Sequence, residues 1–174
     1  MSRHIITGGP GVGKTSLLKA LGRLNYACSG EASRQLIMEE SAKGSGCLPW
    51  IDLPCFAEMA LDRMIASYVA AGENAPTFFD RGIPDIIAYL TVAGLPVTES
   101  FEAALKKYPY AGTVFLLTPW KEIYVQDEAR WQTFEEAERI GHHIKNVYRS
   151  SGYEIIELPK CPVEQRVDLI LKRI

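Results

Sequence analysis

Short apolar runs alternate along the chain with longer segments in which apolar residues recur at helical spacing. The runs lie at 4–7, 24–29, 76–80, 113–117 and 153–158, and their length is typical of buried strands. The helical pattern predicts helices at 16–22, 31–43, 52–72, 84–94, 98–107, 133–149 and 163–174. Strands that alternate with helices form a parallel sheet covered on both faces. The pattern therefore predicts an α/β fold with five parallel strands.

Capping residues mark several of the helix ends. Gly22 is expected to close the first helix, because glycine is the usual residue just past a helix end. Asp52 is expected to cap a long helix that accepts Pro54 in its first turn. Thr133 and Glu136 have the spacing of a capping box.

The stretch from Gly8 to Thr15 follows the first strand and matches G-x-x-x-x-G-K-[ST] at every fixed position. Its glycines let backbone N–H groups and the start of the next helix point at phosphate oxygens. Lys14 is expected to reach the β- and γ-phosphates of a nucleotide, and the Thr15 hydroxyl to bind Mg²⁺. The predicted nucleotide-binding residues are Gly9, Pro10, Gly11, Val12, Gly13, Lys14, Thr15 and Ser16.

Composition narrows the class of partner. The 174 residues fit a single domain, 1–174, and 19 basic against 21 acidic residues give a net charge of −2 without a basic tract. We therefore expect a small-molecule partner, no nucleic acid, no membrane, and a monomer or homodimer. The four cysteines lack C-x-x-C spacing and the N-terminus lacks an apolar leader, which predicts reduced, buried thiols in a cytoplasmic protein.

Carboxyl ends of parallel strands share one edge of a sheet, and polar residues follow several predicted strands. Asp80 ends the third strand, where phosphate-loop proteins keep a carboxylate that binds Mg²⁺ or acts as a base. Arg81 follows it and suits a phosphoryl group or the acceptor beside it. Glu31 follows the second strand, and Arg34 either pairs with Glu31 or reaches an acceptor phosphate.

These motifs together resemble the NadR-type kinases and predicted AAA-family ATPases, a group that includes the ribosylnicotinamide kinase domain. The resemblance rests on Gly8 to Thr15, Glu31-Ala32-Ser33-Arg34, Phe79-Asp80-Arg81-Gly82 and Trp120-x-x-x-Tyr124-x-x-Asp127-x-x-Arg130. It implies a three-layer P-loop fold with the kinase-like strand order 2-3-1-4-5 and a small lid near 119–132.

The resemblance also implies roles for single residues. Asp80 is the magnesium-linked acid or base, Arg81 a phosphoryl or acceptor contact, and Arg130 the lid arginine that closes over the transferred phosphate. Glu31 stands where deoxynucleoside kinases keep a general base, but those enzymes follow it with proline and this chain has Ala32. The base therefore stays open between Glu31 and Asp80. Adenine is expected between the lid and residues 159–163.

The residues that would recognise the acceptor belong to sequence patterns that are less specific than the phosphate-loop motif. Trp50, Phe56 and Tyr89 are candidates to sandwich a planar base, although aromatic residues at helical spacing are more often core. Asp85 either contacts a ribose hydroxyl or serves as an acid in the first turn of its helix.

Two functions follow from these observations. The first is phosphoryl transfer from ATP, with Mg²⁺, to a small acceptor that is expected to be nucleoside- or nucleotide-like. The alternative is a regulatory ATPase whose output is hydrolysis. An arginine rather than a second carboxylate after Asp80 favours the kinase, and the lack of an Asn-Lys-x-Asp motif disfavours a GTPase.

Overall fold

A computed structural model describes residues 3–72, 75–124 and 132–174. The strands are β1 (Arg3–Gly8), β2 (Ala27–Cys28), β3 (Thr77–Asp80), β4 (Thr113–Leu117) and β5 (Glu154–Leu158). The helices are α1 (Lys14–Arg23), α2 (Ala32–Lys43), α3 (Leu53–Ala70), α4 (Ile83–Val92), α5 (Glu99–Lys107), α6 (Phe134–Ser150) and α7 (Val163–Leu171), with a 3₁₀ turn at Lys121–Ile123.

The five strands form one parallel sheet in the order β2-β3-β1-β4-β5, which confirms the predicted fold and strand order. The central strand β1 is buried along its whole length, as a strand covered on both faces should be. Its register places Ile6 beside Asp80 of β3 and Gly8 beside Leu117 of β4. The carboxyl ends of the three central strands therefore meet at one edge.

Two apolar clusters cover the faces of the sheet. On one face Leu17 and Leu21 of α1 pack with Val167 and Ile170 of α7. The other face is covered by a larger cluster from α2 to α6, which includes Tyr148 and Ile144 of α6. Among the described helices, none is long and apolar enough to cross a bilayer.

The predicted caps of α3 and α6 are confirmed. Asp52 accepts a hydrogen bond from the Cys55 backbone N–H at 3.0 Å. Thr133 and Glu136 each accept from the other's backbone N–H, at 3.2 and 2.7 Å. Both helices therefore begin where a side-chain oxygen satisfies backbone donors that the helix itself leaves unpaired.

The segment after α1 departs from the sequence prediction. Gly22 lies inside α1, and the left-handed residue beyond the helix end is Asn25, whose φ is 65°. Asn25 and Tyr26 donate their backbone N–H groups to Gly22 and Leu21 carbonyls, so the chain still turns at 24–25. Strand β2 is consequently restricted to Ala27–Cys28, not 24–29.

The expectation of four reduced thiols is wrong for one pair. Cys47 and Cys55 are joined in a disulfide whose Cα atoms lie 5.5 Å apart, while Cys28 and Cys161 are free and half-buried. The loop between α2 and α3 folds back on the first turn of α3, and this brings together two cysteines with no recognisable motif spacing.

Candidate active site

The phosphate loop, Gly8 to Thr15, joins β1 to α1 and takes a backbone path that requires glycine. Gly11 has φ 76°, and a Cβ there would lie 2.5 Å from the Tyr124 ring. Gly13 has φ 90° and forms the N-cap of α1, so the first N–H groups of that helix face the loop. This is the geometry of an anion cradle.

Lys14 is buried within this cradle. Its ammonium donates to the carbonyls of Gly8 at 3.3 Å and Gly9 at 3.1 Å. Burial, followed by the charge of Arg81, lowers the pKa of Lys14 to about 8. Thr15 and Ser16 lie exposed in the first turn of α1 and line the adjoining cavity. The Asp80, Glu31 and Asp85 charges oppose the lowering of the Lys14 pKa, and a phosphate in the cradle would oppose it further.

Asp80 ends β3 beside the loop and is almost fully buried. Burial raises its carboxyl pKa, and the Lys14 and Arg81 charges oppose that shift. Its Oδ1 atom is buried without a hydrogen-bond partner among the described residues. A buried carboxylate oxygen in this condition suits a hard cation such as Mg²⁺, so Asp80 and the Thr15 hydroxyl fit a magnesium site.

No group of three or more His, Cys, Asp or Glu side chains suited to a metal occurs in the described ranges. Magnesium in phosphate-transfer sites commonly takes only one or two protein ligands and completes its shell with phosphates and water. A site built on one carboxylate and one hydroxyl agrees with that chemistry.

Arg81 connects the third strand to the phosphate loop. Its Nη1 donates to the Gly8 carbonyl at 3.0 Å and to Asp85 Oδ1 at 3.1 Å. Its backbone has φ 70°, which a non-glycine residue rarely adopts, and its guanidinium carbon lies 5.5 Å from the centre of the Tyr89 ring. Arg81 therefore holds the first glycine of the cradle and also lines the cavity.

Asp85 is the centre of a buried hydrogen-bond network, with 1% of its surface exposed. Oδ1 accepts from the Thr7 hydroxyl and from Arg81. Oδ2 accepts from the Gly82 backbone N–H at 2.9 Å and from the Tyr148 hydroxyl at 2.6 Å. Of the two predicted roles, the structure favours the acid in the first turn of α4, because both oxygens are already engaged.

One cavity of about 480 Å³ runs along this edge of the sheet. One half, here called the nucleotide half because the sequence predicts the nucleotide there, adjoins the phosphate loop, Trp120, Ile123 and residues 161–163. The other half lies between α2, α3 and α4 and is here called the acceptor pocket, after the acceptor that the sequence predicts. Its apolar lining is Ile37, Leu53, Phe56, Ala57, Ala60, Met64 and Ile86.

The predicted acceptor-side residues separate in space. Glu31 is the N-cap of α2 and lines the cavity together with Arg34. Asp80 instead lines a small neighbouring cavity. Phe56 and Tyr89 line the large cavity, whereas Trp50 is not part of its lining and is about half exposed.

The described part of the predicted lid packs on the phosphate loop. The Tyr124 ring covers Gly11, and its hydroxyl donates to the Gln132 carbonyl at 2.6 Å. Arg130 lies outside the described residues, as do the other residues of 125–131 in the predicted lid at 119–132.

Arg166 of α7 is a site residue that sequence reasoning missed. It is 4% exposed and lines the nucleotide half of the cavity, with its guanidinium carbon 5.0 Å from the centre of the Trp120 ring. Its Nε has no hydrogen-bond partner within the described ranges. The sequence feature that could indicate Arg166 is its position directly before the inward-facing Val167 of an amphipathic helix.

Solved structures of three kinases share this fold. A deoxyadenosine kinase from M. mycoides is 13% identical, with a TM-score of 0.67 and coverage of 98% of this chain and 97% of that one. A thymidylate kinase from Ehrlichia chaffeensis is 13% identical, with a TM-score of 0.66 and 99% of each chain covered. A shikimate kinase from Aquifex aeolicus is 15% identical, with a TM-score of 0.54 and coverage of 98% and 94%.

These likenesses establish the shared P-loop kinase fold and confirm the broad resemblance predicted from the sequence, whereas the narrower resemblance to NadR-type kinases stays a prediction. No curated protein matches the sequence. A family model described as an AAA domain matches residues 3–166, nearly the whole chain, so the protein belongs to the AAA domain family.

Proposed function

We propose that this protein is a phosphotransferase that moves the γ-phosphoryl group of ATP to a small-molecule acceptor with the help of Mg²⁺. The observation that carries the proposal is the single cavity that joins the phosphate loop to the acceptor pocket. An ATPase that only hydrolyses its nucleotide needs no such pocket. The structural neighbours are kinases, and one of them has been solved with bound dATP.

In the proposed reaction the backbone of 9–15 and Lys14 hold the phosphates, with Ser16 beside them at the start of α1. Mg²⁺, held by Thr15 and Asp80, would neutralise charge on the β- and γ-phosphates. Arg81 fixes the loop through the Gly8 carbonyl and adds positive charge beside the transferred group. Arg130 as a lid arginine stays a prediction.

We assign the general base to Glu31. Glu31 lines the same cavity as the phosphate loop, and Asp80, which lies close enough to Lys14 to feel its charge, is already engaged as the proposed Mg²⁺ ligand. A base must come within hydrogen-bond reach of the acceptor proton, so its position in the cavity matters before its pKa. Asp80 then keeps only the metal role.

Two variants separate these roles. Glu31→Gln should lower kcat about a hundredfold without changing the Mg²⁺ concentration that gives half-maximal rate. Asp80→Asn should raise that concentration strongly because the metal loses its carboxylate ligand. Initial rates across a Mg²⁺ titration measure both effects. Glu102→Gln, an exposed acid on α5, is the matched control.

The assignment fails if Asp80→Asn lowers kcat at saturating Mg²⁺ more than Glu31→Gln does. That order would give the base role to Asp80.

The phosphotransferase itself is tested by ATP consumption with and without acceptors. The panel includes nucleosides and nucleotides, which represent the nucleoside-like acceptor expected from the sequence, as well as sugars and simple alcohols. We expect at least one acceptor to stimulate ATP use well above the basal rate. Appreciable hydrolysis that no acceptor stimulates would favour the regulatory ATPase.

We further propose that residues 1–174 act as one domain with a lid near 119–132, as a monomer or homodimer. A cytoplasmic location and the absence of nucleic-acid or membrane partners stay predictions.

A further inference from the structure

The lining of the acceptor pocket is mainly apolar. Its apolar side chains are Ile37 of α2, Leu53, Phe56, Ala57, Ala60 and Met64 of α3, and Ile86 of α4. All of them except the half-buried Leu53 are at least nine-tenths buried, and all seven pack in or against the larger core cluster. The pocket therefore offers an acceptor the same kind of surroundings as the protein interior.

Polar groups of this half of the cavity are gathered near the phosphate loop. Glu31 and Arg34 lie at the start of α2, and Glu31 is close enough to influence the Lys14 charge. Arg81 is bonded to the Gly8 carbonyl and to Asp85. Ser33 at the start of α2 also lines the cavity, as do Asp85 and Tyr89 of α4, both beside Arg81. One amide, Gln132, lines it from the segment before α6, and among the described residues of α2, α3 and α4 no side-chain amide does.

This distribution fits poorly with a nucleobase. A base carries several donors and acceptors around its ring, and in a buried pocket each needs a partner. An unpaired group costs roughly a five- to 150-fold loss in affinity. An apolar ring or hydrocarbon chain has no such groups and gains by leaving water.

We propose that the acceptor is a primary alcohol with an apolar body, either an aromatic ring or a branched hydrocarbon chain. This inference rests on the proposed function and narrows its acceptor. The apolar body fills the acceptor pocket, and the hydroxyl lies at its polar end beside Glu31.

The phosphoryl transfer from ATP to the alcohol can proceed in that arrangement. The alcohol oxygen attacks the γ-phosphorus of ATP, and a new O–P bond forms. The bond from that phosphorus to the β,γ-bridging oxygen breaks, and its electron pair leaves with ADP. The alcohol proton passes to the Glu31 carboxylate.

Calorimetry can rank the acceptor classes by binding alone. The unaltered protein is saturated with Mg²⁺ and a non-hydrolysable ATP analogue, then titrated with 2-phenylethanol, geraniol, deoxyadenosine, thymidine and shikimate. We expect one of the two apolar alcohols to bind at least tenfold more tightly than either nucleoside. Equal or tighter nucleoside binding, or no binding of either alcohol, would overturn the inference.

A matched pair of variants locates the binding. Ala57→Gln places an amide in the pocket and should weaken alcohol binding at least tenfold, while the affinity for the ATP analogue stays unchanged. Ala66→Gln makes the same change on the exposed side of α3 and should leave both affinities as they are. Equal alcohol affinity in Ala57→Gln and the unaltered protein would place the alcohol elsewhere and refute the pocket assignment. If Ala57→Gln does not fold, the ranking of acceptor affinities in the unaltered protein still decides between an apolar alcohol and a nucleoside.

Turnover with ATP separates this inference from the proposed function. If an alcohol binds as expected but no compound of the panel is phosphorylated, the apolar character of the pocket stands and the phosphotransferase is refuted. Phosphorylation of a nucleoside, together with its tighter binding, would keep the phosphotransferase and refute the apolar acceptor.

Discussion

Lys14→Ala is expected to lower turnover by about three orders of magnitude while the protein remains folded. The ammonium lies inside the phosphate loop, where it now bonds to the Gly8 and Gly9 carbonyls and would instead meet the phosphates of a nucleotide. Loss of a preorganised charge at a transferred group typically costs a hundredfold to a thousandfold in rate. Steady-state rates with saturating ATP measure the loss.

The fold should survive this change. The buried ammonium is costly to desolvate, as its lowered pKa indicates, so its removal takes away an unfavourable burial along with two hydrogen bonds. We expect circular dichroism and the unfolding midpoint to stay close to those of the unaltered protein. Lys19→Ala, an exposed lysine on the same helix, is the control and should keep full activity. Retained activity in Lys14→Ala would remove the phosphate loop from the mechanism.

The phosphate loop and the strands other than the short β2 were predictable because local sequence specifies them. A run such as Ile5-Ile6 before a glycine-rich turn can be buried on both faces only as a central strand. The caps at Asp52 and Thr133 were predictable for the same reason, since each depends on residues within three positions. The sheet edge then followed from topology, because parallel strands end together.

Features that depend on distant residues were not predictable. The Cys47–Cys55 bond depends on how the loop before α3 folds, and the Arg166 contact with Trp120 brings together α7 and the chain after β4. Nothing in the local pattern around Asp85 distinguished a ribose contact from a helix acid. The difference comes from Tyr148, which lies 63 residues away in the sequence.

The chemical class of the acceptor was not predictable from the sequence for the same reason. From the sequence alone Phe56 is a candidate stacking residue, but the character of its pocket depends on side chains from three helices. Only their assembly shows that the wall is apolar and that the polar groups gather at the end near the loop. The donor half of the site is encoded by one continuous motif, and the acceptor half is not.

Asp85→Asn is expected to destabilise the protein by about 3–5 kcal/mol, the cost usually seen when one partner of a buried ion pair is removed. The carboxylate is fully buried and neutralises Arg81, and it also accepts from the Gly82 backbone and the Tyr148 hydroxyl. An amide keeps the shape but loses the charge and one acceptor oxygen. Arg81 then remains buried beside the phosphate loop without its counter-charge. Urea unfolding, followed by circular dichroism, gives the free-energy difference.

Four further variants, Asp62→Asn, Tyr148→Phe, Arg81→Met and the double variant Arg81→Met/Asp85→Asn, separate the charge effect from simple packing loss. Asp62→Asn, on an exposed part of α3, should cost almost nothing. Tyr148→Phe removes one hydrogen bond to the charged Asp85 but keeps the ion pair, so it should cost less than Asp85→Asn, about 1.5–3 kcal/mol. In the double variant Arg81→Met/Asp85→Asn the unpaired charge is gone, and the loss should be smaller than the sum of the two single losses. If the losses instead add, Arg81 and Asp85 are not energetically coupled, and the network owes its stability to the neutral hydrogen bonds alone.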